Sequence, residues 1–179
     1  MSRRFKLAFL IIVAAQVFLL LGLIGEKEYT LRTGTEVVLQ TVPVDPRSLL
    51  QGDFAILDYE IARMPPNRQI PVGDTIYVSL RKSDQVWVGS NYQSRKPSDQ
   101  DVIFIKGVVD RFEHLDFGIG TYFLPDGTGH LIERSRDVKV VVSVDARGKA
   151  VIKDVLLDGV PFSEARKLEP TASPPIPPR

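Results

Sequence analysis

Cysteine is absent from this 179-residue chain, which excludes disulfides, thiolate nucleophiles, cysteine metal ligands and lipoprotein-type acylation. Histidine is nearly absent. His114 and His130 are the only two, and neither sits in a metal-binding spacing. Neither sign of charge dominates, because 23 Lys and Arg face 22 Asp and Glu, and no basic stripe of the kind nucleic acid requires can be traced. A phosphate-binding loop is missing too. Gly118-Ile119-Gly120 is too short and is followed by no helix or Lys-Ser/Thr pair. The acids Asp116, Asp126, Asp145 and Asp154 are scattered and form no EF-hand loop. No metal, nucleotide or other cofactor is predicted.

What is present begins at the N-terminus. Arg3, Arg4 and Lys6 precede an uncharged run of 19 residues, 7–25, in which Gln16 is the only strongly polar member. As a helix this run reaches about 28 Å, enough to cross the hydrocarbon layer. A cleaved signal peptide shares the basic head, but its core is shorter, about 7–15 residues, and ends at small residues spaced Ala-x-Ala. Here the run ends Leu21-Gly22-Leu23-Ile24-Gly25 and passes directly to Glu26, Lys27 and Glu28. The twin-arginine export pattern fits only loosely around Arg3 and Arg4. An uncleaved single-pass anchor is the expectation, with the lipid bilayer as its first partner. The excess of positive charge before the span places the N-terminus in the cytoplasm and the remainder outside, periplasmic or extracellular, on a bacterial inner membrane.

Four segments follow: a basic head 1–6, a transmembrane helix 7–25, a β domain 26–164 and a Pro-rich tail 165–179. Five prolines in the last eleven residues deny the tail helix and sheet hydrogen bonds, so it is read as coil; use as a ligand for a Pro-recognising partner is the competing role. The three positive charges of the head, taken from a net +1, leave the rest at −2.

The β domain reads as short strands at short spacing: 36–42, 54–61, 75–80, 86–90, 102–109, 118–123, 130–133, 138–144 and 150–157. Pro43 to Arg47 forces a turn, Ser48 to Gln51 is one helical turn, and Asp145 to Lys149 is a hairpin loop. In 54–61 the period of two puts Ala55, Leu57 and Tyr59 on a core face, with Phe54, Ile56 and Asp58 opposite. No sustained amphipathic helix interrupts the pattern. The fold class is all-β, mainly antiparallel strands in a small barrel or sandwich behind one transmembrane helix.

Gly52-Asp53-Phe54-Ala55-Ile56-Leu57-Asp58-Tyr59 resembles the signature of the bacterial GDYXXLXY family, with Phe54 where a tyrosine is usual. Pro43-Val44-Asp45-Pro46-Arg47 is similar to the family's Pro-x-Asp-Pro-Arg segment. Gly118-Ile119, Tyr122-Phe123, Leu131-Ile132-Glu133 and the Val-rich hairpin around Gly148 resemble its later portion. The resemblance covers about residues 25–162. It implies a membrane-anchored architecture and a multi-pass membrane protein as partner, without supplying a reaction.

The motif residues singled out are Asp45, Arg47, Gly52, Asp53, Leu57, Tyr59, Tyr122 and Glu133. Their first role is structural: Asp45 and Asp53 cap turns or pair with Arg47, and both tyrosines bond backbone groups. The competing role gathers Asp45, Arg47, Asp53 and Glu133 around a polar ligand or partner groove. Trp87 is either a core plug or an interface anchor, and Tyr29 marks the headgroup layer. The function expected is a membrane-tethered accessory or protein-interaction module. The enzymatic alternative is an anchored hydrolase distantly like a Ser-Lys signal peptidase, with Ser48 as nucleophile and a neutral Lys106 as base.

Overall fold

Helix α1, Arg3–Thr33, is 31 residues long and so extends about 46 Å. Its apolar portion is covered by nothing: Phe9, Phe18 and Leu19 are all well over half exposed. The segment Phe9–Thr33 is long and apolar enough to cross a membrane, and its 18-residue apolar window is 0% buried. The helix outlasts the apolar run by a further two turns. Glu26 to Arg32 contain neither proline nor glycine, and Glu28 accepts a hydrogen bond from Arg32 Nε at 2.7 Å, one turn on. Gly34 ends it, donating its N–H to Thr30 O at 2.9 Å.

The computed structural model describes residues 3–42, 54–65, 70–99, 101–125 and 127–168. Beyond α1 these form β1 (Thr35–Gln40), β2 (Phe54–Ile56), β3 (Thr75–Ser83), β4 (Val86–Gln93), β5 (Phe104–Val109), β6 (Leu115–Asp116), β7 (Thr121–Phe123), α2 (Gly129–Arg134), β8 (Val138–Val144), β9 (Ala150–Leu157), β10 (Val160–Pro161) and α3 (Phe162–Leu168). Eight strands make one sheet in the order β10-β9-β8-β1-β4-β3-β5-β6, and β2 pairs with β7 separately. Every pairing is antiparallel except β1 with β4, which meet in parallel at Leu39 and Trp87. The result is a large mixed, strand-rich sheet that folds over its core like a sandwich and does not close as a barrel among the described residues.

Curvature can be read from one bond. In a flat sheet β5 and β8 would stand four strand spacings apart, about 19 Å. Yet Lys106 N donates to Gly148 O, in the β8–β9 turn, at 2.8 Å. The sheet must therefore curl until β5 meets that turn. Two register shifts supply the bend, one between Ser79 and Leu80 that skips Ser90, the other between Val141 and Val142 that skips Lys153. Inside the curl lie Val37 and Leu39, Ile76 and Val78, Ile105, Val140 and Val142, and Val155, all fully buried. On β1, β3 and β8 these recur at every second residue, the period that a one-sided sheet requires.

Three expectations are corrected. The strand expected over 54–61 stops at Ile56 and becomes a 3-10 turn at Glu60–Ala62. Asp58 Oδ1 captures the N–H of Tyr59 at 2.9 Å, and Tyr59 touches Thr41 only as an isolated bridge. Residues 130–133 are helical. Thr128 turns the chain by donating both its N–H and its hydroxyl to Pro125 O, after which Leu131-Ile132-Glu133-Arg134 favour a helix that buries Ile132. Finally, residues 165–168 are helical, the end of α3, where coil was expected.

Candidate functional site

The signature strand is a clasp. Its core face is as the alternation predicts: Ala55, Leu57 and Tyr59 are 0%, 5% and 3% exposed. Leu57 N donates to Gly120 O at 2.9 Å, and the Tyr59 hydroxyl donates to Ile119 O at 2.7 Å. Val42 N donates to Asp58 O at 3.0 Å, tying the clasp to the end of β1. Tyr92 adds a third strap, its hydroxyl donating to Ile61 O at 3.2 Å. Ala55 pairs with Tyr122 across β2 and β7, and the Tyr122 ring meets Phe162 edge-on at 5.8 Å between centroids.

Leu57, Tyr59 and Tyr122 are therefore brought together, as packing. Burial holds the Tyr59 phenol far above its ordinary range. Burial also raises Tyr122, with the charge of Asp154 adding and that of Arg166 opposing. Neither phenol is disposed to act as a base near neutrality. Glu133 stands exposed on α2, not on a strand. Asp45, Arg47, Gly52, Asp53 and Ser48 lie outside the described residues. Lys106, the proposed base, projects an exposed side chain from β5. Trp87 is half-buried against the core, and Tyr29 is 66% exposed on the last turns of α1.

A second constellation escaped the sequence reading: the junction where α1 meets the β8–β9 hairpin. Thr30 is buried, and its carbonyl accepts a 2.6 Å hydrogen bond from the hydroxyl of Ser143, which is itself fully buried in β8. Gly34 lies so close to this pair that a Cβ there would stand 2.7 Å from Thr30 O and 2.9 Å from Val144 O. One turn earlier, Glu26 Oε1 receives Arg147 Nη2 at 2.8 Å and Lys149 Nζ at 2.7 Å. Asp145 fixes the hairpin turn from within, accepting the N–H groups of Arg147 and Lys149 and the Nε of Arg147. Burial pushes the Asp145 carboxyl up, but those donors outweigh it and hold it below the usual carboxylate range. Lys153 and Glu36 make a further ion pair between β9 and β1.

Beside the junction opens a cavity of about 620 Å³ whose walls include Tyr29, Thr33, Phe104 and Asp145. Lys96 closes one side, its Nζ 5.5 Å above the Phe104 ring. Among the described residues no group of three or more Asp, Glu or His side chains is placed to hold a metal. No side-chain N or O among them is buried without a partner. The arrangement is built to join a helix to a sheet.

An apolar helix fixed to a curled, strand-rich domain whose signature strand is a buried clasp defines the class of this protein. The chain belongs to the GDYXXLXY protein family, whose model matches residues 16–155. Neither the curated proteins nor the solved structures contain a match. The family match begins inside α1 and ends in β9, so it takes in both the clasp and the junction.

Proposed function

We propose that this protein is a membrane-tethered accessory module of the bacterial envelope, whose β domain meets another membrane protein, of multi-pass type, close to the bilayer. The observation that carries the reading is that α1 continues without a break from an uncovered apolar span into buried contact with β8. Such a helix holds the domain at a set height above the membrane, where partners are locally concentrated. Phe112 and Phe123, 79% and 77% exposed, support a role in contacts with a second protein. The basic head favours a cytoplasmic N-terminus, with the domain on the outer side of the inner membrane.

Two measurements test this. Gentle extraction of native membranes followed by cross-linking and purification of the full chain should recover a stable multi-pass partner. Recovery of the chain alone under every mild detergent tried would defeat the accessory role. A C-terminal tag should be reached by protease from outside intact spheroplasts. Protection of the tag would overturn the orientation.

A further inference from the structure

A cavity of about 230 Å³ lies beside the junction, lined by Lys27 from α1, Lys106 from β5, Lys149 from the hairpin, and Glu26, Thr30 and Phe117. It is smaller than the roughly 300–1,000 Å³ of ordinary small-molecule pockets. Its floor is firm, because Phe117 is buried against Gly107, where a Cβ would stand 2.9 Å from the ring. Its charge is unbalanced. Three lysines face one carboxylate, and that carboxylate already receives Lys149 and Arg147. Lys27 and Lys106 have no ion-pair partner among the described residues.

The height of the cavity says what could fill it. Glu26 is the first residue after the apolar run, and Thr30 lies about 6 Å further along the helix axis. The interfacial layer on each side of the hydrocarbon is about 5–8 Å deep. With α1 as the anchor, Lys27 and the cavity beside it would stand in the layer that holds phosphates. We propose that this cavity is a binding site for the headgroup of an anionic phospholipid in the leaflet nearest the domain, with Lys27 and Lys106 holding the phosphate and Phe117 walling the glycerol side. The site rests on the anchor reading above. Exposed lysines in the headgroup layer ordinarily snorkel and attract anionic lipid diffusely. A walled cavity between three separate elements adds a fixed geometry, so one lipid is retained in place of a diffuse cloud.

The full chain in a non-ionic detergent, titrated with phosphatidylglycerol or phosphatidylcholine and read by native mass spectrometry, tests the site. One phosphatidylglycerol should be held about tenfold more tightly than phosphatidylcholine. Lys27→Gln with Lys106→Gln should abolish that preference. Arg81→Gln with Lys82→Gln, on the far exposed end of β3, should retain it, as should Lys27→Arg with Lys106→Arg. Equal retention of the two lipids, or an undiminished preference in the double glutamine variant with its circular dichroism unchanged, would overturn the proposal. Displacement by excess inorganic phosphate would overturn it too, because the site would then read a free ion. Failure of the anchor is separately visible: release of the chain from membranes by alkaline carbonate would refute the anchor, whereas a retained chain without lipid preference refutes only the site.

Discussion

Tyr59→Phe isolates one bond of the clasp. The ring keeps its place and volume, so no cavity opens, and only the hydroxyl that donates to Ile119 O at 2.7 Å is lost. Tyr59 is 3% exposed, which denies water easy access to the orphaned carbonyl. A buried acceptor left unsatisfied costs about 1–3 kcal/mol, and a mid-range value of about 1.5 kcal/mol is appropriate for a single neutral bond. For a β domain of about 130 residues the unfolding entropy is roughly 0.28 kcal/mol/K, so the midpoint should fall by about 5 °C. Thermal unfolding of the full chain in detergent micelles, followed by the near-ultraviolet circular dichroism of the domain, reads this directly. A second signature comes from pH. Because burial raises the Tyr59 pKa in the folded state, its contribution is whole below the unfolded value of about 10 and is lost as pH rises toward the folded one. Wild type should therefore lose stability faster than the phenylalanine variant above about pH 10, and the gap between them should narrow. A variant that melts within about 1 °C of wild type, or that shows the same alkaline slope, would refute the clasp. If stability held while partner recovery disappeared, Tyr59 would belong to a binding surface instead.

Gly34→Ala should destabilise the junction by about 1–3 kcal/mol, since the added methyl meets two backbone oxygens that cannot swing aside; the urea midpoint and protease sensitivity near residue 34 check it, and an unchanged midpoint counts against the close approach. Acid should weaken the hairpin through Asp145. Its folded pKa lies below the unfolded value of about 3.9, so its contribution is present above about pH 4 and lost as pH falls through the folded value. Asp145→Asn should therefore be less stable than wild type at pH 6, with the difference narrowing as pH falls below about 4 in urea titrations; a constant difference would show that its charge is irrelevant.

Local chemistry was the legible part of this fold. The Asp145 to Lys149 loop declared itself because Asp145 caps its own turn and Gly148 takes a positive φ of 83° within four residues. The core face of Ala55, Leu57 and Tyr59 followed from period two even though the strand itself broke, because alternation survives in extended chain that is not paired. Leu131-Ile132 misled for the opposite reason: two adjacent apolar residues fit a strand or a helix, and burial of Ile132 against the core decided it. The register shifts at Ser90 and Lys153 were invisible, since a bulge is a relation between strands. So was the junction, where the two partners of Glu26 come 121 and 123 residues later. Glu26 signalled only the end of an apolar run. Asp53 of the signature and Asp45 of the upstream proline segment lie outside the described residues, so the clasp is established on Leu57 and Tyr59.

Rigidity at the junction follows from weighing its two kinds of contact. The pairs of Glu26 with Arg147 and Lys149 look prominent, yet all three side chains are at least 36% exposed, so solvent screens them and they contribute little. The Ser143 hydroxyl on Thr30 O is different, because both residues are buried and separating them strands the hydroxyl, a cost of about 1–3 kcal/mol, while Thr30 O keeps the N–H of Gly34. Gly34 then admits the backbone of β8 to a distance no side chain would allow. Packing and a buried bond, not surface charge, therefore fix the azimuth of the sheet about the α1 axis, and the ion pairs trim it. A flexible linker would let the domain sample a hemisphere above the bilayer. If α1 is the anchor proposed above, Thr30, about 7 Å beyond the apolar run, would hold the hairpin turn within reach of the headgroups and offer only one side of the sheet to anything embedded alongside.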